Sequence, residues 1–279
     1  MTTHPSSLAD ELRAVTADGS IPTTPLAAAF ARLRNETPEE RQARSDRECA
    51  AYKAELKEMA ATRDRYRRAR YEEARPHEFA DVTLDGLLPQ QNPDGKGMGW
   101  LTSGAKVGLF FGPSGHGKSH LAYAIGNAAI AAGQWVEAWS VAELRRALAP
   151  LPTHARYDEI RSTRQERTLD WAKDCDLLIL DDLGAEEADT YAAERWRATL
   201  LEILSARDTN PKCRTIVTAN AGTTADQPTD DAKNAVKIAA ANSIASRYDT
   251  RVATRLRKDS IGIWVEGDCL RRPATWNPF

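Results

Sequence analysis

The chain has 279 residues, 42% of them hydrophobic and 28% charged, with a formal net charge of -2. This is the make-up of a soluble protein with one sizeable domain plus an appendage. It excludes a protein that binds nucleic acid through overall positive charge, so any such contact needs a local basic patch.

The four cysteines (Cys49, Cys175, Cys213, Cys269) are scattered without a C-x-x-C pair, and the five histidines do not cluster with them. They read as reduced thiols, not as a zinc site or a disulfide frame. No apolar stretch approaches membrane-spanning length, and Met1 to Ser20 contain no signal-peptide core, so a cytoplasmic protein without membrane contact is expected.

In chain order, residues 1–37 alternate short helical pieces with Pro- and Thr-rich breaks, and Ser7 followed by Asp10 and Glu11 can open a helix. Pro38 to Glu73 is dense in Arg, Lys and Glu, with no internal Pro or Gly, and predicts an exposed helix. Leu56, Met59 and Tyr66 do not sustain heptads. Basic residues crowd Arg63 to Arg70, which suits either a partner-contacting arm or a solvated helix face. Residues 76–104 are rich in Pro, Gly, Asp and Asn and predict a linker.

From Lys106 onward strands and helices alternate. The expected strands are Lys106–Phe111, Trp135–Ser140, Asp176–Asp181, Cys213–Thr218 and Ile261–Val265. The helices between them fall near Lys118–Ala132, Val141–Leu148, Ala155–Lys173, Tyr191–Arg207 and Ala241–Arg257. This order predicts a three-layer α/β/α fold around a central five-stranded parallel sheet, preceded by a helical N-terminal region. The expected organisation is a region at 1–75, a linker and domain entrance at 76–105, and the α/β domain at 106–279.

Gly112-Pro113-Ser114-Gly115-His116-Gly117-Lys118-Ser119, followed by His120, fits G-x-x-x-x-G-K-[ST] between a strand and a helix. Glycines let consecutive backbone N–H groups face phosphate oxygens, and the helix start adds its positive dipole end. Lys118 is expected to reach the β- and γ-phosphates of ATP, and the Ser119 hydroxyl to ligate Mg²⁺. Leu177 to Leu180 is an apolar run suited to a strand buried on both faces, and Asp181-Asp182-Leu183-Gly184 follow it. Carboxylates at that strand end would lie beside the phosphate loop. Asp181 is expected to hold Mg²⁺, and Asp182 to orient or deprotonate the attacking water.

The fourth strand ends Thr-Ala-Asn, which puts the Asn220 amide where it can touch the γ-phosphate or its water. Arg251 and Arg255 share one helix face, and Arg271 follows the last strand. These stretches, with Tyr248 to Leu256 and Gly267 to Arg271, resemble the AAA+ ATPases, and among them the DnaC/IstB-like group of helicase loaders and transposition helpers. The resemblance covers about Phe79 to Arg272.

The resemblance implies ATP hydrolysis with Asn220 as sensor 1, Arg271 as sensor 2, and Arg255 as an arginine finger reaching a neighbouring subunit's γ-phosphate, with Arg251 as a second possibility. It implies a homo-oligomeric spiral or ring, single-stranded DNA binding, and a client gripped by the N-terminal region, either a replicative helicase or a transposase. Arg145, Arg146, Arg156, Arg161, Arg164 and Arg167, with Tyr157, form the candidate DNA element, although Asp158, Glu159 and Glu166 interleave with them. Two departures stand out: Asp182 replaces the Glu of many AAA+ ATPases, and the stretch from Gly222 to Ser243 is longer than usual. A small-metabolite kinase and a non-catalytic nucleotide-gated module are the rival classes.

Overall fold

The computed structural model describes residues 36–149, 158–184, 190–220, 248, 250–265 and 269–270, with only the backbone of helix residues 158–162 and 190–192. The helices expected within residues 1–35, the long stretch from Gly222 to Ser243, and Arg156, Tyr157 and Arg271 therefore lie outside the described residues. The chain divides into two compact units, Met1–Thr62 and Arg63–Phe279.

Helix α1 spans Pro38–Ala74. Its start is a reciprocal cap: the Glu40 N–H donates to Thr37 Oγ1 at 3.2 Å, and the Thr37 N–H donates to Glu40 Oε2 at 2.9 Å. Pro38 occupies the first turn, where its missing N–H has no intrahelical partner to lose. In the first unit Tyr52, Leu56 and Met59 are exposed.

In the second unit five strands form one parallel sheet: β1 Val107–Gly112, β2 Val136–Ser140, β3 Leu177–Leu183, β4 Arg214–Asn220 and β5 Ser260–Trp264. Their spatial order is β2-β3-β4-β1-β5. The chain leaves β1 for the far edge, walks back through β3 and β4, then crosses β1 to place β5. This reversal makes β1 and β4 neighbours whose onward connections run in opposite directions, the arrangement that opens a ligand crevice at the carboxyl ends of strands.

The helices are α2 Lys96–Thr102, α3 Lys118–Ala131, α4 Val141–Ala147, α5 Asp158–Asp174, α6 Thr190–Thr209 and α7 Thr250–Arg257. Strand side chains alternate between two cores although most are buried. Leu109, Leu178, Leu180 and Val217 pack with Leu144, Leu200, Ile203 and Leu256. Phe110, Ile179 and Ile216 pack with Tyr71, Trp100, Leu121 and Ile125.

Two stretches pack more tightly than composition predicts. In the stretch 76–104, expected to be a linker, Phe79, Gln91 and Trp100 are buried, and α2 forms despite two glycines. A Cβ on Gly97 would lie 2.6 Å from Leu121 Cδ1, so any larger residue there makes the Leu121 side chain shift. The Arg214 guanidinium lies 3.8 Å over the Trp100 ring and donates to the Leu101 and Ala105 carbonyls.

The basic cluster is the second case. Arg67 stacks on Trp135 and Arg70 on Trp171, each 4.0 Å from the ring centroid, and Arg70 Nε donates to both oxygens of Glu137. These two arginines are packing and pairing groups rather than a solvated face.

Candidate functional site

β1 ends at Gly112, and the loop to α3 turns on glycines with positive φ. Gly112 has φ 150°, and a Cβ there would lie 2.0 Å from the Val265 carbonyl oxygen. Gly117 has φ 95°, and its Cβ would lie 2.6 Å from Gln91 Cγ. Neither position accepts a side chain, so the loop stays against the sheet end with its N–H groups available to an anion. Gly117 caps α3, and Lys118 and Ser119 open that helix. Lys118 is buried, and its Nζ donates to the Pro113 carbonyl at 2.7 Å, which folds the ammonium into the loop.

β3 and β4 keep register at Leu180↔Val217 and resume it at Leu183↔Ala219. Asp181 and Asp182 thus oppose the single residue Thr218, a bulge at the site. Ser119 Oγ donates to Asp181 Oδ1 at 2.9 Å, and Thr218 Oγ1 donates to the same oxygen at 2.6 Å. Burial raises the Asp181 carboxyl above the usual carboxylate range, and the Asp182 charge adds to that. The hydrogen bonds from Thr218 and Ser119 and the Lys118 charge work against it.

Asn220 is exposed at the end of β4 and is the register partner of Gly112, so the amide stands beside the first residue of the phosphate loop. After β5 the chain returns over the loop: the Leu270 N–H donates to the Gly115 carbonyl at 2.8 Å, one residue before Arg271. A cleft of about 620 Å³ borders Asp181, with Arg75, His77, Tyr123, Ser140 and Glu143 in its walls.

The structure therefore gathers Gly112 through Ser119, Asp181, Asp182 and Asn220 at one end of the sheet. It does not bring Arg255 there. Arg255 Nη1 donates to Asp208 Oδ2 at 2.5 Å, and Lys258 holds both oxygens of that carboxylate at 3.0 Å. Asp208 also accepts Lys106 Nζ at its carbonyl, at the start of β1. Arg255 and the phosphate loop thus lie at opposite ends of a strand of 6 residues, about 20 Å apart. Arg251 borders a groove between α6 and α7. Arg146, Arg164 and Arg167 are exposed, and Arg145 is half-buried.

The sequence assigns Thr218 no role of its own, because a buried β-branched residue is what any strand interior would carry. The Thr-x-Asn spacing at the strand end was the available signal.

Fold and site together define a P-loop nucleotide-binding protein of the α/β/α class. The family of IstB-like ATP binding proteins matches residues 24–235, more than half of the chain. The chain belongs to that family, within the DnaC/IstB-like AAA+ proteins.

A Sinorhizobium fredii protein named for an insertion sequence ATP-binding role (y4iQ/y4nD/y4sD) is 38% identical over 115 residues, 40% of this chain and 33% of the relative. Escherichia coli YdaV, described as uncharacterized, is 40% identical over 86 residues, 31% of this chain and 32% of the relative. The chain thus matches about a third of the length of each. The crystal structure of the DnaC helicase loader shares the fold with a TM-score of 0.52 at 20% identity, over 68% of this chain and 100% of that one. Among the described residues no helix is long and apolar enough to cross a membrane.

Proposed function

We propose that this protein is an ATP-hydrolysing switch that loads a replicative DNA helicase onto single-stranded DNA. The observation that carries the switch is the separation of parts. The phosphate loop, Asp181, Asp182 and Asn220 converge at one end of the sheet, while Arg255 stands at the other, where it can serve a neighbouring copy and not its own nucleotide.

In this reading Lys118 binds the β- and γ-phosphates and Asn220 orients the γ-phosphate or its water. Asp182 positions or deprotonates that water, and Arg271 contacts the nucleotide from the returning chain. Ser119 and Asp181, already hydrogen-bonded to each other, fit as the pair that holds Mg²⁺, which neutralises charge on the phosphate oxygens. Arg255, supplied in trans to a spiral or ring of copies, adds a planar guanidinium to the spreading transition-state charge. The N-terminal region grips the client, and exposed arginines of α4 and α5 supply phosphate contacts to the DNA.

The likeness of fold to a helicase loader supports the helicase as client. A second reading, an ATPase that assembles on DNA and activates a transposase, is favoured by the insertion-sequence relative.

The test combines phosphate release, with and without single-stranded DNA, with co-migration of the purified protein and the host's replicative helicase. A stable, nucleotide-dependent complex with helicase is expected. A complex with the transposase alone selects the second reading, and absence of hydrolysis under every condition removes both.

A further inference from the structure

Thr218 is the one residue of β4 that faces the two-residue bulge of β3. A bulge takes an amide out of the ladder, and a buried N–H without a partner is costly. Asp182 sits in that bulge with φ 58°, a left-handed conformation that a residue with a Cβ disfavours. Its N–H donates to Thr218 Oγ1 at 2.9 Å, and the same hydroxyl donates its single proton to Asp181 Oδ1 at 2.6 Å. Thr218 is fully buried, so water does not compete for either bond.

We propose that Thr218 is a positioning residue of the hydrolytic centre. Its hydroxyl ties the orientation of the Asp181 carboxylate to the strained backbone of Asp182, and so fixes both carboxylates against the phosphate loop. Thr218 touches no substrate and acts only through the two aspartates, and its role rests on their service in ATP hydrolysis.

A hydroxyl is the smallest group that accepts from one neighbour while donating to the other. Valine fills the same space and suits a strand equally well, but does neither. Were Thr218 present only as a strand former, valine would serve in its place.

The test uses the full chain with Thr218→Val and Thr218→Ser. Two readouts are compared with wild type: kcat and KM for ATP from phosphate release, and amide hydrogen exchange of the peptide containing Asp182. Thr218→Val is expected to lower kcat by about tenfold to a hundredfold, the scale of a small misplacement of catalytic groups. KM is expected to change by less than about twofold, since the phosphate loop and the Ser119 bond to Asp181, which carry ground-state binding, remain in place. Exchange at Asp182 is expected to speed up, because its acceptor is gone. Thr218→Ser is expected to restore kcat and protection together.

Should the valine variant be insoluble, Thr218→Ala carries the same expectation. A hydroxyl-free variant with wild-type kcat, or with unchanged Asp182 exchange, overturns the proposal. Failure of the ATPase reading looks different: the wild type itself would not hydrolyse ATP, or Lys118→Ala would hydrolyse it equally well.

Discussion

Removing the Arg70 guanidinium should destabilise the nucleotide-binding unit more than any exposed charge on α1. Glu137 keeps only 3% of its side chain exposed, and Arg70 Nε reaches its two oxygens at 3.0 and 3.1 Å. Trp135 Nε1 donates to the same carboxylate at 3.1 Å, but it is neutral. Arg70→Ala therefore leaves a buried anion without its cation, and also strips the guanidinium from the Trp171 face.

Breaking a buried pair costs about 3–5 kcal/mol, and Arg70 is 24% exposed, so the lower end, about 3 kcal/mol, is the expectation. At about 2–4 °C per kcal/mol for a unit of this size, the melting temperature should fall by about 6–12 °C. Differential scanning calorimetry of Arg70→Ala against Arg68→Ala is the assay. Arg68 pairs with Glu72 on an exposed face, and its loss should cost no more than about 0.5 kcal/mol. Replacing Arg70 and Glu137 together by Met and Leu should recover most of the loss. An Arg70→Ala protein that melts within about 2 °C of Arg68→Ala would refute the reasoning.

Lys118→Ala should abolish ATP binding, measured by fluorescence of a labelled nucleotide; unchanged affinity would contradict the phosphate-loop assignment. The thiols should split into two classes. Cys49 and Cys269 are exposed and should react with a disulfide reagent in the native protein, while Cys175 is buried, its thiol pushed up to about 12 by burial, and should react only on unfolding. With the sign worked through, the protonated Cys175 contributes fully to stability below the ordinary thiol value of about 8.5, and loses that contribution as pH rises toward about 12. Denaturant midpoints of wild type and Cys175→Ala should converge over that window.

The sheet was legible because its strands are short apolar runs with turn residues between them. Leu177–Leu180 could be assigned to a doubly buried strand before any partner was known. The phosphate loop was legible because its spacing is a physical requirement of backbone N–H groups around an anion.

What stayed hidden depends on residues distant in sequence. The bulge at Asp181–Asp182 is a property of β3 and β4 together, and nothing in either strand alone announces it. Arg67 and Arg70 read as part of a partner-contacting arm or a solvated face because their neighbours are charged, whereas Trp135 and Trp171, which hold them, lie far along the chain. The stretch 76–104 reads as linker by composition, yet Trp100 is buried under Arg214 more than a hundred residues later.

The central claim, that one copy completes the hydrolytic centre of the next, is tested most directly by mixing two variants, Arg255→Ala and Asp182→Asn. Each alone should bind ATP and release little phosphate. Combined, they should regain partial turnover, greatest near equal amounts, because some interfaces pair an intact Asp182 with an intact Arg255. No regained turnover at any ratio, or full-rate hydrolysis by monomeric wild-type protein, would contradict the account.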